Sequence, residues 1–524
     1  MNEFFKYRSH FIFWMLLFAV AWSYNYPEIL SKGPYSIHQW RQADCLSITQ
    51  NFYVEDRPFL EPAIHWVGEA DGRTVSECPI IYYSVAKLWR WFGKEYWMFR
   101  LINILLVFLG LWSLFRLTLR VTLSPFWSVA LPLFLFSSPI LAYYTNNFMA
   151  DAPAFGLALT AGYLAYLGVV DRKRWAYYLA FLVFLAAGLI KVSALILFIA
   201  LGMLHGKYAV RGRLHRELTR WSAWWPYVVV GCGLIMWYGY ANRYNEANVS
   251  WIFLTGLFPI WDLDGEAIRS IWWDLTHTLL PAYFIRQGLW LCGILFGILL
   301  WNYKKGQRFW LQLTLLISAG LVGFVLLFYQ AFTVHDYYLT NLLIIIPVLL
   351  LAVLDMGKAH FRLLLKNKWV RGFAVLVVTL LIYKTALTNR MKYDAEDPWL
   401  QYNFVIADSR IQHWRWFHYD YQQHEKAYET IKPYLRSLGI NREDRVLSYS
   451  DLSINISLYL MDQKGFSSFG FGAFSLDEKM AKYKQYGVQY VIVDEASDDP
   501  ETIAPYLGEK IGDYQNLGIY EFRL

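Results

Sequence analysis

Charge is scarce in this chain of 524 residues: only 17% of it is Asp, Glu, Lys or Arg, against 57% apolar and 19% aromatic residues. An ordinary soluble domain carries about a quarter charged residues, so a water-soluble enzyme is excluded and a membrane protein is expected. Cysteine is scarce too, with four in all, which excludes a disulfide-built scaffold, and nothing in their spacing suggests a metal site. Cys45 and Cys78 share one polar segment, where an oxidising compartment would permit a bridge, yet they read as two free thiols. Cys232 and Cys292 read as small apolar residues in or near membrane segments. The C-terminal region has no glycine-rich phosphate loop. No small-residue cleavage pattern follows the first apolar stretch, which therefore reads as an anchor and not a signal peptide.

What is present is a series of long apolar runs. A bilayer core of roughly 30 Å asks for about 20 apolar residues per helix. Eleven spans are expected near Phe11 to Ser23, Leu101 to Leu117, Phe126 to Tyr143, Ala154 to Val170, Trp175 to Leu189, Val192 to Leu204, Tyr227 to Tyr240, Gln287 to Tyr303, Trp310 to Phe328, Leu339 to Leu354 and Gly372 to Lys384. With that count, Lys6 and Arg8, Arg116 and Arg120, and the basic stretches 171–174, 205–220, 303–308 and 358–371 all fall on one side, as cytoplasmic loops should. The expectation is a multi-pass protein of the plasma (inner) membrane with a cytoplasmic N-terminus. Residues 24–99, 144–153 and 241–286, the "VHDYY" turn and the C-terminal tail would lie outside. The net charge of +7 is explained by topology and by anionic membrane lipids, with no nucleic acid partner.

The domain reading is a membrane domain over 1–390, with 24–99 as its first extracytoplasmic loop, and a soluble extracytoplasmic α/β domain over 391–524. In the latter, "RVLSYSD", "VQYVIVDE" and "LGIYEFRL" read as strands, and "LSINISLYLMD" and "SLDEKMAKYKQYG" as helices.

Lone polar groups at the outer ends of the spans carry the functional signal. "HQWRQADCLSITQNF" (38–52) has helical spacing, with Asp44, Ile48 and Phe52 four apart and Arg41 one turn before Asp44. "NNFMADAPAFGLAL" puts Asp151 at the outer mouth of the fourth span. "GLIKVSAL" puts Lys191 where the fifth and sixth spans meet, and "FTVHDYYLTNLLIIIP" puts His335, Asp336, Tyr337 and Tyr338 at the start of the tenth. Each has a bland reading as a helix cap, a snorkelling lysine or a salt bridge. Acidic, basic and histidine groups that all arrive on one side of a membrane point instead to a site.

The combination of "WRQAD" and "ECPIIYY" in one loop closed by "WFG", then "MAD", "LIK" and "HDYY", resembles the glycosyltransferases of the C-type fold. The likeness is to the branch with the protein O-mannosyltransferases and the lipid A aminoarabinose transferase. It implies transfer of a hexosyl or pentosyl group from a polyprenyl-phosphate-linked donor to an acceptor hydroxyl on a lipid, glycan or protein, outside the membrane and with inversion. Cationic donors for the departing phosphate would be Arg41, Lys191, Arg286 and His335; the base would be Asp44 or Asp151. His38, Trp40, Glu77, Asp336, Tyr337 and Tyr338 would contact substrate. Mg²⁺ or Mn²⁺ on Asp44 and Asp151 is an option, although metal-free chemistry is favoured. The sequence departs from these relatives in two places. Arg41 and Gln42 stand where an Asp-Glu pair is usual, and Cys78 stands where the lipid A enzymes carry a lysine. The rival classes are a lipid or sugar flippase, disfavoured by the lack of an internal repeat, and a polymerase or ligase of lipid-linked glycans.

Overall fold

The computed structural model describes residues 3–213, 216–253, 256–304, 308–470 and 474–523. Two compact units emerge: Met1–Ser31 with Arg100–Trp237 and Gly256–Arg390, and Lys32–Phe99 with Tyr238–Thr255 and Met391–Leu524.

The first unit is helical, and every segment expected to span falls on a helix or on a bent pair of helices. Among the described residues six helices are long and apolar enough to cross a membrane, or eight spans if each of two bent pairs is one. The third expected span is one of these pairs: Pro125–Phe136 and Pro139–Thr145 meet at 80°. The cause is local. Ser138 precedes a proline, which pushes it out of the helical region, and it takes an extended backbone and caps the next helix by accepting from the Leu141 N–H. The tenth span opens with 3₁₀ turns over Asp336–Ile344 before the α-helix Ile345–His360.

Small residues set how closely these helices approach. A Cβ on Gly110 would lie 2.5 Å from the carbonyl oxygen of Gly156, and one on Gly156 would lie 2.4 Å from that of Leu106. The helices Tyr96–Thr122 and Asp151–Val169 therefore cross backbone to backbone, the close packing that small residues permit in membranes. That crossing fixes the height of Asp151.

The second unit contains a five-stranded sheet: β1 (Val446–Ser448), β2 (Gly465–Ser467), β3 (Tyr490–Asp494), β4 (Leu507–Tyr514) and β5 (Leu517–Phe522). Its order is β2-β1-β3-β5-β4, with β1 parallel to β2 and β3 and β5 antiparallel to β3 and β4. The sequence led us to expect β1, β3 and β5 only. β2 is too short to show an alternating pattern, and β4, with two glycines and three charged residues in "LGEKIGDY", contradicts strand propensity. The helix Gln39–Val54 packs on Ile80–Phe92 and on Ile456–Met461, so residues of the first loop and of the C-terminal region share a core. Charges reinforce it: Arg442 bridges Glu55 at 2.8 Å and Asp462 at 2.9 Å, and the buried Lys464 reaches Glu55 at 3.0 Å.

Gly156→Val should force the crossing helices apart and lower stability in detergent by about 2 kcal/mol or more. A thermal unfolding midpoint equal to that of wild type would show that the backbone contact is dispensable.

Candidate functional site

In the first unit the helix Arg174–Ile190 stops at Lys191, whose extended backbone (φ −156°, ψ 114°) separates it from the 3₁₀ turn Val192–Leu195. The ammonium of Lys191 lies 3.1 Å from Oδ1 of Asp151. Asp151, only 3% exposed, is the first residue of its helix, where the helix dipole favours a negative charge. The Lys191 ammonium also lies over the rings of Tyr337 and Tyr338, at 5.3 and 4.9 Å from their centroids, an arrangement whose ring faces attract a cation. Those two rings stack at 5.0 Å, and the His335 ring stands edge-on to both. Asp336 is buried and accepts from the Tyr144 hydroxyl, so part of its hydrogen-bonding capacity is used internally. Arg286 is exposed at the start of the helix Arg286–Trp301 and makes no ion pair among the described residues. Five of the expected site residues thus come together around Lys191 and Asp151, with Asp336 adjacent in the chain.

The turn that delivers Asp151 is held by residues not expected from sequence. Arg100, fully buried, donates to the Asn146 carbonyl and lies over the Phe148 ring at 4.0 Å. The Asn103 amide donates to the carbonyls of Asn147 at 2.7 Å and Met149 at 3.1 Å. A charged and an amide side chain at the start of an apolar span, in "FRLIN", was the available signal.

In the second unit the helix Gln39–Val54 begins after His38, whose φ of 54° is left-handed; His38 and Trp40 are half-buried there. Arg41 pairs with Glu77 at 2.6 Å and lies 3.9 Å from Asp44, the latter too long for a hydrogen bond. Glu77 also accepts from Ser76 and from the Tyr82 hydroxyl at 2.5 Å. Asp44 is 2% exposed and accepts from the Asn455 amide at 3.4 Å. Burial pushes its carboxyl up to about 7; Arg41 and Asn455 pull it down, and the negative Glu77 and Asp451 add to the rise. A second acid, the half-buried Glu425, is also pushed up to about 7, by desolvation and then by Asp451. Asn455, Asp451 and Glu425 lie hundreds of residues from Asp44, and no local pattern connects them. All four cysteines are free, with the Cys45 thiol 3.3 Å from the Tyr82 hydroxyl.

The donor set fits a hard cation poorly. Such an ion asks for about six oxygen ligands, whereas among the described residues no group of three or more His, Cys, Asp or Glu is placed to hold a metal, and the nearest charged partners of Asp44 and Asp151 are themselves cations.

No family model matches the chain, and no curated protein resembles it by sequence. Its fold is the glycosyltransferase C-type fold, with apolar helical spans and a small C-terminal sheet. It is similar to the crystal structure of ArnT from Cupriavidus metallidurans bound to undecaprenyl phosphate, with a TM-score of 0.58 and 12% identity over 97% of this chain and 98% of that one. The apo state of the same enzyme gives 0.57 and 11%, over 97% of each chain.

Arg100→Met should free the 146–149 turn at a loss of about 1.5–3 kcal/mol, as expected for hydrogen bonds from a charged donor. Limited proteolysis at 144–150 checks this; cleavage as slow as in wild type would remove Arg100 from its positioning role.

Proposed function

We propose that the protein is a polyprenyl-phosphate-sugar-dependent glycosyltransferase of the plasma (inner) membrane, with its N-terminus cytoplasmic and its chemistry outside. The observation that carries this reading is the Asp151–Lys191–Tyr337–Tyr338 constellation on a fold whose solved representative holds undecaprenyl phosphate. A cation backed by aromatic rings and balanced by one carboxylate suits a phosphate whose charge grows as the sugar departs. Lys191 is the central phosphate contact in this reading, with His335, Arg286 and Arg41 as further candidates. Asp336, Tyr337, Tyr338, His38, Trp40 and Glu77 line the substrates.

The roles of the two aspartates separate on their surroundings. Asp151 is committed to Lys191 and to a helix N-terminus, which suits a charge-balancing partner. Asp44 has its cation shared with Glu77 and a carboxyl raised to about 7, close to the operating pH, where general bases work best. In the proposed step the acceptor hydroxyl gives its proton to Asp44 as its oxygen attacks the anomeric carbon. The bond from that carbon to the phosphate oxygen breaks on the opposite face, the centre inverts, and polyprenyl phosphate leaves with the bonding pair. No metal is needed in this scheme.

Asp44→Asn should lower kcat by about 10²–10⁴-fold while the variant still binds undecaprenyl phosphate; turnover within tenfold of wild type would remove Asp44 as the base. The ionised form of Asp44 is the active one, so kcat in wild type should climb with pH through about 7 and then level, and a profile flat from pH 5.5 to 8.5 would contradict the assignment. Lys191→Met should weaken donor binding or slow phosphate departure more than Lys191→Arg does, read as a KM-against-kcat split; equal, wild-type kinetics in both would place the phosphate contact elsewhere.

A further inference from the structure

The ends of the first unit's helices opposite Asp151 and Lys191 line a partly open cavity of about 460 Å³ that the chemistry above does not use. Its walls are mainly apolar, with Leu159, Phe184, Leu201, Leu313, Val348 and Leu351 among them; Arg120, Asp355 and Lys358 bring charge, and His205, Tyr166, Tyr177, Tyr208 and Tyr227 bring further polar groups. The volume falls within the few hundred to about 1,000 Å³ of ligand sites. Protein interiors rarely leave so large a void unfilled, and apolar walls do not hold water well.

The charges narrow the occupant. Arg120 pairs with Asp171, and the Lys358 ammonium donates to the Val121 carbonyl at 2.7 Å; each keeps further donors. Asp355 is 6% exposed, and its Oδ2 accepts no hydrogen bond among the described residues. A carboxylate so placed among apolar groups is costly unless a donor meets it. A purely anionic headgroup would be repelled by Asp355, and a purely cationic amphiphile by Arg120 and Lys358. A headgroup that carries both a phosphate and a primary ammonium satisfies all three.

We propose that this cavity binds one membrane phospholipid with a primary-amine headgroup, of the phosphatidylethanolamine kind. An acyl chain lies among the leucines and phenylalanines, the phosphate toward Arg120 and Lys358, and the ammonium on Asp355. Arg120, Lys173, Lys207 and Lys358 lie in the terminal turns or caps of their helices, so the lipid belongs to the leaflet those residues face. This inference stands independently of the transferase reading.

Native mass spectrometry of the full chain, exchanged into nanodiscs of phosphatidylethanolamine, phosphatidylcholine and phosphatidylglycerol in equal parts, tests it. Wild type should retain one phosphatidylethanolamine per chain, at least fivefold above phosphatidylglycerol. Asp355→Asn should erase the preference, Asp355→Glu should keep it, and Ala165→Trp, which fills the cavity, should retain no lipid; size exclusion confirms that each variant is folded. Equal retention of the lipids by wild type, an unchanged preference in Asp355→Asn, or phosphatidylethanolamine still bound to folded Ala165→Trp would overturn the proposal. So would its one-for-one displacement by undecaprenyl phosphate, which would give the cavity to a polyprenyl tail.

Discussion

An ammonium and a carboxylate 3.1 Å apart, the carboxylate buried and the ammonium half-buried, are the contact around which this part of the first unit is arranged. Removing one partner of such a pair leaves a buried charge and costs about 3–5 kcal/mol, so the surrounding chain is built to keep both. The helix before Lys191 must end for the side chain to reach its partner, which is why the backbone is extended there. Asp151 must start a helix at the matching height. That requirement explains the glycine crossing with Tyr96–Thr122 and the Arg100 and Asn103 contacts that hold the preceding turn. The tyrosine pair of the "VHDYY" turn then covers the cation.

The second unit treats its aspartate differently. Asp44 is equally buried, but its arginine is drawn toward Glu77, 2.6 Å away against 3.9 Å for Asp44 itself. Burial outweighs the pull of Arg41 and Asn455, so the Asp44 carboxyl is pushed up to about 7.

Much of this was legible in the sequence. Hydropathy placed each apolar run on a helix or a bent pair, but the helices Gly265–Asp274 and Leu280–Tyr283 lie in a stretch read as an outer loop; charges stranded in apolar runs drew attention to Lys191, Asp151 and the "VHDYY" turn, because lipid makes such residues conspicuous. The 80° bend was written in "SSP" but was read as one span, since hydropathy averages over a proline. Local pattern could not supply Asn455 or Asp451, which act on Asp44 only through tertiary packing, nor β2 and β4, one too short and the other too glycine-rich and charged to register. The partner that holds Asp336, the Tyr144 hydroxyl, lies 192 residues away and was likewise beyond local pattern.

The central claim is that the protein cleaves a polyprenyl-phosphate sugar, and the most direct measurement is of that bond. Purified protein in detergent, supplied with a panel of undecaprenyl-phosphate monosaccharides and hydroxyl acceptors, should form undecaprenyl phosphate for at least one donor, in equal amount to the glycosylated acceptor and with no membrane gradient. If no donor in the panel is cleaved while the same protein, reconstituted in sealed vesicles, moves the intact lipid-linked sugar across the bilayer, the molecule is a transporter and the account fails.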